Sequence, residues 1–142
     1  MSKKIVFMGT PNFAVPVLKN IFQNGFEISA VYTQPPKKSD RGHKKITKSP
    51  IHILAETLNL EVRTPEKLKD NKEEYKYLKK IGVSLGVVVA YGQILTKDIL
   101  NLSKNGFINL HASVLPLNRG ASPIQRSIMN LDKETGISVM KI

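Results

Sequence analysis

The sequence predicts an α/β fold with a doubly wound, mostly parallel sheet, and two patterns carry that expectation. A strand, a helix and a second strand follow one another between Lys3 and Thr33, and a βαβ unit of that length requires parallel pairing. Val83–Ala90 is almost continuously apolar, as expected of a central parallel strand covered by helices on both faces. With 142 residues and 41% hydrophobic content, the chain has the size and composition of one packed domain, since domains cluster at roughly 100–150 residues.

Lys3–Met8 reads as the first strand, stopped by Gly9-Thr10-Pro11. Phe13, Val17, Leu18, Ile21 and Phe22 then recur at helical spacing, with Pro16 in the first turn, where proline is tolerated. Asn24-Gly25 closes that helix, and Phe26–Thr33 forms the second strand. Gln34–Lys48 contains Pro35-Pro36, Gly42 and a basic run, and reads as an exposed loop. Ser49-Pro50 matches an N-cap followed by proline at the first helical position, opening a helix to about Leu58. A short strand around Glu61–Arg63 and a charged amphipathic helix within Glu66–Lys80 precede the apolar strand. Leu95–Leu102 reads as a short helix, Gly106–Leu110 as the strand that delivers His111, Ser122–Leu131 as a helix and Gly136–Ile142 as a last strand.

The chain carries 22 basic and 11 acidic side chains, a net charge of +11. That balance favours a polyanionic partner such as nucleic acid, although a lysine-rich surface also keeps a protein soluble. Distribution is more telling than the total. Lys37, Lys38, Arg41, Lys44, Lys45 and Lys48 face the single acid Asp40, so this stretch holds 6 − 1 = +5. There is no cysteine, which excludes disulfides and thiolate metal sites and fits an intracellular protein. His43, His52 and His111 are too scattered to form a zinc site, and no metal is expected. No signal peptide or bilayer-spanning run is evident, so a cytoplasmic protein with no membrane partner is expected.

Ligands of doubly wound sheets bind outside the carboxyl ends of the strands, which directs attention to three segments. Met8-Gly9-Thr10-Pro11-Asn12 has one glycine where a dinucleotide fingerprint needs three, so nicotinamide binding is disfavoured and Gly9 is expected to serve a tight turn. Ala90-Tyr91-Gly92-Gln93-Ile94-Leu95 could present backbone amides and carbonyls to a flat heteroaromatic ring, or could be an ordinary strand-to-helix connection. The third segment runs from Asn109 to Gly120. On a strand, residues two apart share a face, so Asn109 and His111 leave the sheet edge together. A neutral amide can stabilise a carbonyl turning into an oxyanion, while an imidazole moves protons near neutral pH. A lone histidine can equally be structural; the pairing with Asn109 is what makes this the leading site. The chain must fold back sharply after this strand, which makes Leu115-Pro116 a candidate for a cis peptide.

His111-Ala112-Ser113-Val114-Leu115-Pro116, with Arg119-Gly120 and Pro123-Ile124-Gln125-Arg126, resembles the signature of the folate-dependent formyltransferases. Asn109 and Ala90-Tyr91-Gly92 match as well. Met8-Gly9-Thr10-Pro11 with Phe13-Ala14, and the run from Thr33-Gln34-Pro35 through Arg41-Gly42 to Ser49-Pro50, resemble the members of that family that act on methionyl-tRNA. The resemblance spans the whole chain with its motifs in order. It implies a Rossmann-like formyltransferase domain that transfers a formyl group from 10-formyltetrahydrofolate to the amino group of aminoacylated initiator tRNA, for translation initiation. In that reading Asn109 holds the developing oxyanion and His111 assists charge and proton transfer. Ala90, Tyr91, Gly92, Gln93, Ile94 and Leu95, with Ser113, Leu115 and Pro116, contact the folate. Arg41, Gly42, Lys44 and Lys45 grip the end of the acceptor stem, Arg41 foremost, and a monomer is expected.

There is one departure. The resemblance implies a catalytic aspartate in a loop just beyond Ile142, followed by a C-terminal tRNA-binding domain. Asp132 precedes Glu134-Thr135-Gly136, which matches the family ahead of that loop, so it is not the counterpart. Residues 1–142 are therefore expected to form the N-terminal portion of the catalytic domain, truncated before the aspartate loop, with little transfer activity alone. Two alternatives stand beside this reading. One is a formyltransferase acting on glycinamide ribonucleotide or an amino sugar nucleotide, whose small acceptors give no reason for the +5 stretch. The other is a non-catalytic RNA-binding module.

Overall fold

Side-chain alternation on the first strand already separates two cores: Ile5 and Phe7 enter one hydrophobic cluster, Val6 and Met8 the other. A computed structural model describes residues 3–38 and 45–142. Among them the strands are β1 (Lys4–Gly9), β2 (Glu27–Tyr32), β3 (Lys37–Lys38), β4 (Ile46–Thr47), β5 (Val62–Arg63), β6 (Leu85–Val89), β7 (Phe107–His111) and β8 (Ser138–Lys141). The helices are α1 (Val15–Gln23), α2 (Pro50–Thr57), α3 (Lys72–Ile81), α4 (Lys97–Leu100) and α5 (Pro123–Met129). The main sheet has the order β5-β2-β1-β6-β7-β8. Its pairings are parallel except for β8, which runs antiparallel to β7.

Leu18 of α1 and Ile51 and Ala55 of α2 pack on Ile5, Phe7, Ile28, Val31, Val87 and Val89. On the opposite face Leu78 of α3 and Ile99 of α4 join Val6, Met8, Ala30, Tyr32, Val88 and Phe107. Helices on both faces of a parallel sheet make the doubly wound fold expected from the sequence. A bulge lets the strands keep that sorting: Ile5 pairs with Ile28 but Val6 with Ala30, leaving Ser29 as the extra residue.

Local chemistry sets the helix limits. The Ser49 hydroxyl accepts the His52 N–H at 3.0 Å, with Pro50 at the start of α2. Asn71 Oδ1 accepts the Glu74 N–H at 3.1 Å, so α3 begins only at Lys72, later than its charge pattern indicates. Gly82, at φ 68°, ends it. This charged helix also turns one acid inward. Glu74, only 7% exposed, accepts from the Tyr32 hydroxyl at 2.6 Å and from Arg63 Nε and Nη2 at 2.7 and 2.9 Å. The Arg63 guanidinium lies 3.7 Å from the centre of the Tyr77 ring. Burial, and then the bond to Glu74, push the Tyr32 phenol far above its ordinary range.

Two readings need correction. The stretch from Gln34 to Lys48 is not a plain loop: β3 and β4 pair antiparallel, Lys37 with Thr47 and Lys38 with Ile46. The Thr33 and Ser49 hydroxyls meet at 2.6 Å, so the outgoing and returning arms start side by side and their extended backbones bond to each other. Gly9 ends β1 without a positive φ. It is needed for space, since a Cβ there would lie 2.8 Å from the Val89 carbonyl oxygen and 3.0 Å from Ala14 Cβ.

Candidate active site

The sheet order reverses between β1 and β6, so the chain leaves these neighbours in opposite directions and opens a crevice at their carboxyl ends. Gly9 pairs with Val89, which starts Thr10 and the Ala90–Leu95 loop side by side. Asn109 pairs with Val88 and, on its other side, with Met140. Two clefts meet here. One of about 450 Å³ is lined by Pro11, Ala90, Gly92, Asn109, His111 and Ser122, among others. A second of about 310 Å³ runs along Val88, Tyr91, Gln93, Leu95 and Leu100. Ala90, Gly92 and Asn109 line both.

Asn109 and His111 are half-buried on one face of β7, while Leu110 packs with the opposite core. His111 Nε2 lies 2.8 Å from the Asn118 carbonyl oxygen. A carbonyl only accepts, so Nε2 carries the proton of the neutral ring and Nδ1 keeps a lone pair. Among the described residues no group hydrogen-bonds the Asn109 side chain. A free amide donor thus stands near an oriented imidazole, an arrangement suited to stabilising charge on a carbonyl oxygen while moving a proton.

The turn after β7 is tied to β8 by Ser138, which sequence reasoning missed. Its hydroxyl donates to the Ser113 carbonyl at 2.7 Å and accepts the Leu115 N–H at 3.0 Å. A serine at the start of a strand carries no signal of such a role; only the β7–β8 register, His111 opposite Ser138, reveals it. The Leu115-Pro116 bond is cis. Ser113 is fully buried, Pro116 is exposed, and neither they nor Leu115 line the two clefts.

The Ala90–Leu95 loop offers mainly its backbone. Ala90 and Gly92 have φ of 49° and 88°, a conformation glycine adopts freely and alanine rarely. Tyr91 is 1% exposed, so its ring belongs to the core, and burial pushes its phenol far up. The Gln93 side chain is spent inside the fold: Nε2 donates to the Pro65 carbonyl at 2.9 Å and Oε1 accepts the Leu68 N–H at 2.7 Å. Ile94 is 75% exposed and lies outside both clefts. The N–H groups of Gly92, Gln93, Ile94 and Leu95 donate to no described group. Unpaired backbone donors beside the apolar Val88, Leu95 and Leu100 suit a flat ring that carries acceptors on its edge.

Of the residues expected to meet the acceptor stem, Lys45 is exposed ahead of β4, while Arg41, Gly42 and Lys44 lie outside the described residues. Lys48 is engaged by Glu56 at 2.8 and 3.0 Å, and this contact holds the Glu56 carboxyl below its usual range. Lys37, Lys38 and Lys48 line a further cleft of about 390 Å³ with Thr10, Gln34 and Ser49. Among the described residues no helix is long and apolar enough to cross a membrane.

Comparison with known proteins places these features in context. The family model described as Formyl transferase matches residues 3–142. A relative named methionyl-tRNA formyltransferase, from Pelagibacter ubique (strain HTCC1062), is 67% identical over all 142 residues, which cover 46% of that protein. One of the same name from Chelativorans sp. (strain BNC1) is 49% identical, again over the whole chain and 45% of its own length. The chain thus spans about half the length of the curated relatives it matches. Among solved structures, a phosphoribosylglycinamide formyltransferase from Bacillus halodurans superposes with a TM-score of 0.75 at 18% identity, over 99% of this chain and 72% of that one. A sugar N-formyltransferase from Shewanella sp. does so with a TM-score of 0.61 at 17% identity, over 98% and 50%. At such identities the likeness is one of fold.

Proposed function

The chain belongs to the formyl transferase family, and from that premise we propose that it forms the N-terminal part of the catalytic domain of an enzyme that formylates the amino group of methionyl-tRNA. The observation that carries this reading is the pairing of Asn109 and His111 on one face of β7, at a cleft shared with Ala90 and Gly92. The names of the 67% and 49% identical relatives support tRNA as the acceptor, as does the +5 stretch between Lys37 and Lys48. The setting is the cytoplasm, and the working form is a monomer.

When bound, 10-formyltetrahydrofolate supplies the formyl group. The Ala90–Leu95 loop holds its ring through the free backbone donors and the apolar wall. Asn109 Nδ2 donates to the formyl oxygen as charge builds there, without a competing partner of its own. His111 Nδ1 would take up the proton released by the attacking amine and return it to the folate nitrogen as the bond from that nitrogen to the formyl carbon breaks, while the Asn118 carbonyl keeps the ring in the required tautomer. Arg41, Lys44 and Lys45 contact phosphates of the acceptor stem.

The test is transfer of labelled formyl groups to methionyl-tRNA by this chain extended to the full length of its relatives. Removing an oxyanion donor costs about 10²–10³ in kcat and removing an acid–base group about 10²–10⁴. Asn109→Ala and His111→Ala should each fall in those ranges. Turnover that survives both substitutions, or formylation of a small acceptor in place of tRNA, overturns the reading.

A further inference from the structure

The basic cleft and the Ala90–Leu95 loop share two residues. Thr10 and Gln34 line the cleft that also holds Lys37, Lys38, Thr47 and Ser49. The same two side chains hold the Tyr91 carbonyl: Thr10 Oγ1 donates to it at 2.9 Å and Gln34 Nε2 at 3.3 Å. Thr10 Oγ1 in turn accepts the Gln34 N–H at 3.3 Å, and Gln34 Oε1 accepts from Gln93 Nε2 at 3.4 Å. At Gly92 a Cβ would come within 2.8 Å of Gln34 Nε2, so the loop backbone rests directly on this side chain. The Gln34 contacts sit at the long end of the hydrogen-bond range, which leaves slack for a ligand to remove.

We propose that Thr10 and Gln34 are positioning residues that couple a phosphate held beside Lys37 and Lys38 to the Ala90–Leu95 loop, so that polyanion binding tightens folate binding. The proposal rests on the tRNA and folate reading above. Lys48 is already engaged by Glu56, which among the described residues lining the cleft leaves Lys37 and Lys38, three and four residues beyond Gln34, as its available cations. A phosphate there neutralises two adjacent like charges, orders the segment that starts at Gln34, and fixes the side chain on which Tyr91 and Gly92 rest. A loop that is already fixed loses less conformational freedom when the ring arrives. By linkage, folate must tighten polyanion binding by the same factor.

The experiment is a titration of this chain, extended to the full length of its relatives, with 5-formyltetrahydrofolate, a stable formyl folate, with and without saturating deacylated tRNA. The folate Kd is expected to drop about fivefold with tRNA, the lower end of common coupling strengths. Thr10→Val and Gln34→Ala should bring that factor to about one while each ligand alone still binds, and Thr10→Ser, which keeps the hydroxyl, should preserve it. A merely structural role would weaken both ligands without changing their coupling, and that result overturns the relay. So does a factor of one in the parent chain, or an unchanged factor in both variants. If neither ligand binds the parent chain, the underlying functional reading falls with the relay; if both bind uncoupled, only the relay falls.

Discussion

His111 Nε2 and the carbonyl oxygen of Asn118 are 2.8 Å apart, and this contact selects the imidazole's tautomer. Long-range ¹⁵N–¹H correlation at a pH where the ring is neutral should show His111 protonated on Nε2, with Nδ1 bare. A ring protonated on Nδ1 would be inconsistent with the contact and would remove the proton acceptor assigned to the cleft.

Burial of the Tyr32 phenol, reinforced by its bond to Glu74, gives stability a defined alkaline limit. The phenol is raised above its ordinary value of 10.0, so above about pH 10 the unfolded chain sheds a proton that the folded chain keeps. The unfolded state then binds fewer protons and stability must fall with rising pH, by about 1.4 kcal/mol per unit for each such group. The contribution is fully present below pH 10. Tyr32→Phe should cost about 1.5–3 kcal/mol at neutral pH, as expected for a hydrogen bond to a charged group, and the gap to the parent should shrink above pH 10. Denaturant titrations at pH 7 and above pH 10 provide the check; parallel curves would rule out the linkage.

Glu74 and Arg63 form a two-bond fork in a largely buried setting, with side chains 9% and 19% exposed. Removing one member leaves the other charged and poorly solvated, which costs about 3–5 kcal/mol in buried pairs. Glu74→Ala should therefore destabilise by about that amount, whereas Glu56→Ala, which breaks the exposed pair Lys48–Glu56, should cost far less. Melting the two variants side by side tests the ranking.

Gly86 sits against the Phe107 ring, and a Cβ there would come within 1.9 Å of it. Phe107 is fully buried, so the ring has little room to yield. Gly86→Ala should cost at least about 1–3 kcal/mol, the usual price of overpacking, and Phe107→Leu should recover part of that loss in the double variant. A neutral Gly86→Ala would mean the two strands separate more easily than their pairing indicates.

These contrasts explain how much of the molecule was legible in its sequence. The strands and their two-sided cores follow from the apolar runs on β1 and β6, which are local patterns. Ser49-Pro50 and Asn24-Gly25 mark helix ends through chemistry confined to a few residues. Asn109 and His111 were legible because strand periodicity alone places them on one face. The inward turn of Glu74 was not, since any of the acids on α3 could have pointed at Arg63 until β5 and β2 were placed beside it. Nor was the meeting of Thr10, Gln34 and Tyr91, whose partners lie 57 and 81 positions apart. Ser113, Leu115 and Pro116 show the same limit from the other side: the motif names them, but their place outside the clefts depends on how the turn folds onto Ser138.

The basic stretch yields the last prediction. If Arg41, Lys44 and Lys45 contact tRNA phosphates, each contact releases condensed counterions, and log K falls with log salt by roughly one unit per phosphate neutralised. Replacing all three with alanine should weaken tRNA binding and flatten that slope by up to about three units. Arg41→Lys should remain costly although it preserves charge, because a guanidinium can engage two phosphate oxygens in a fixed fork while an ammonium acts as a point charge. Lys48→Ala should matter least, since its ammonium is already committed to Glu56. Filter-binding titrations at several salt concentrations separate these cases. A slope and affinity unchanged in the triple variant would remove Arg41, Lys44 and Lys45 from the tRNA contacts and leave Lys37 and Lys38 as the remaining route for a polyanion to reach Gln34.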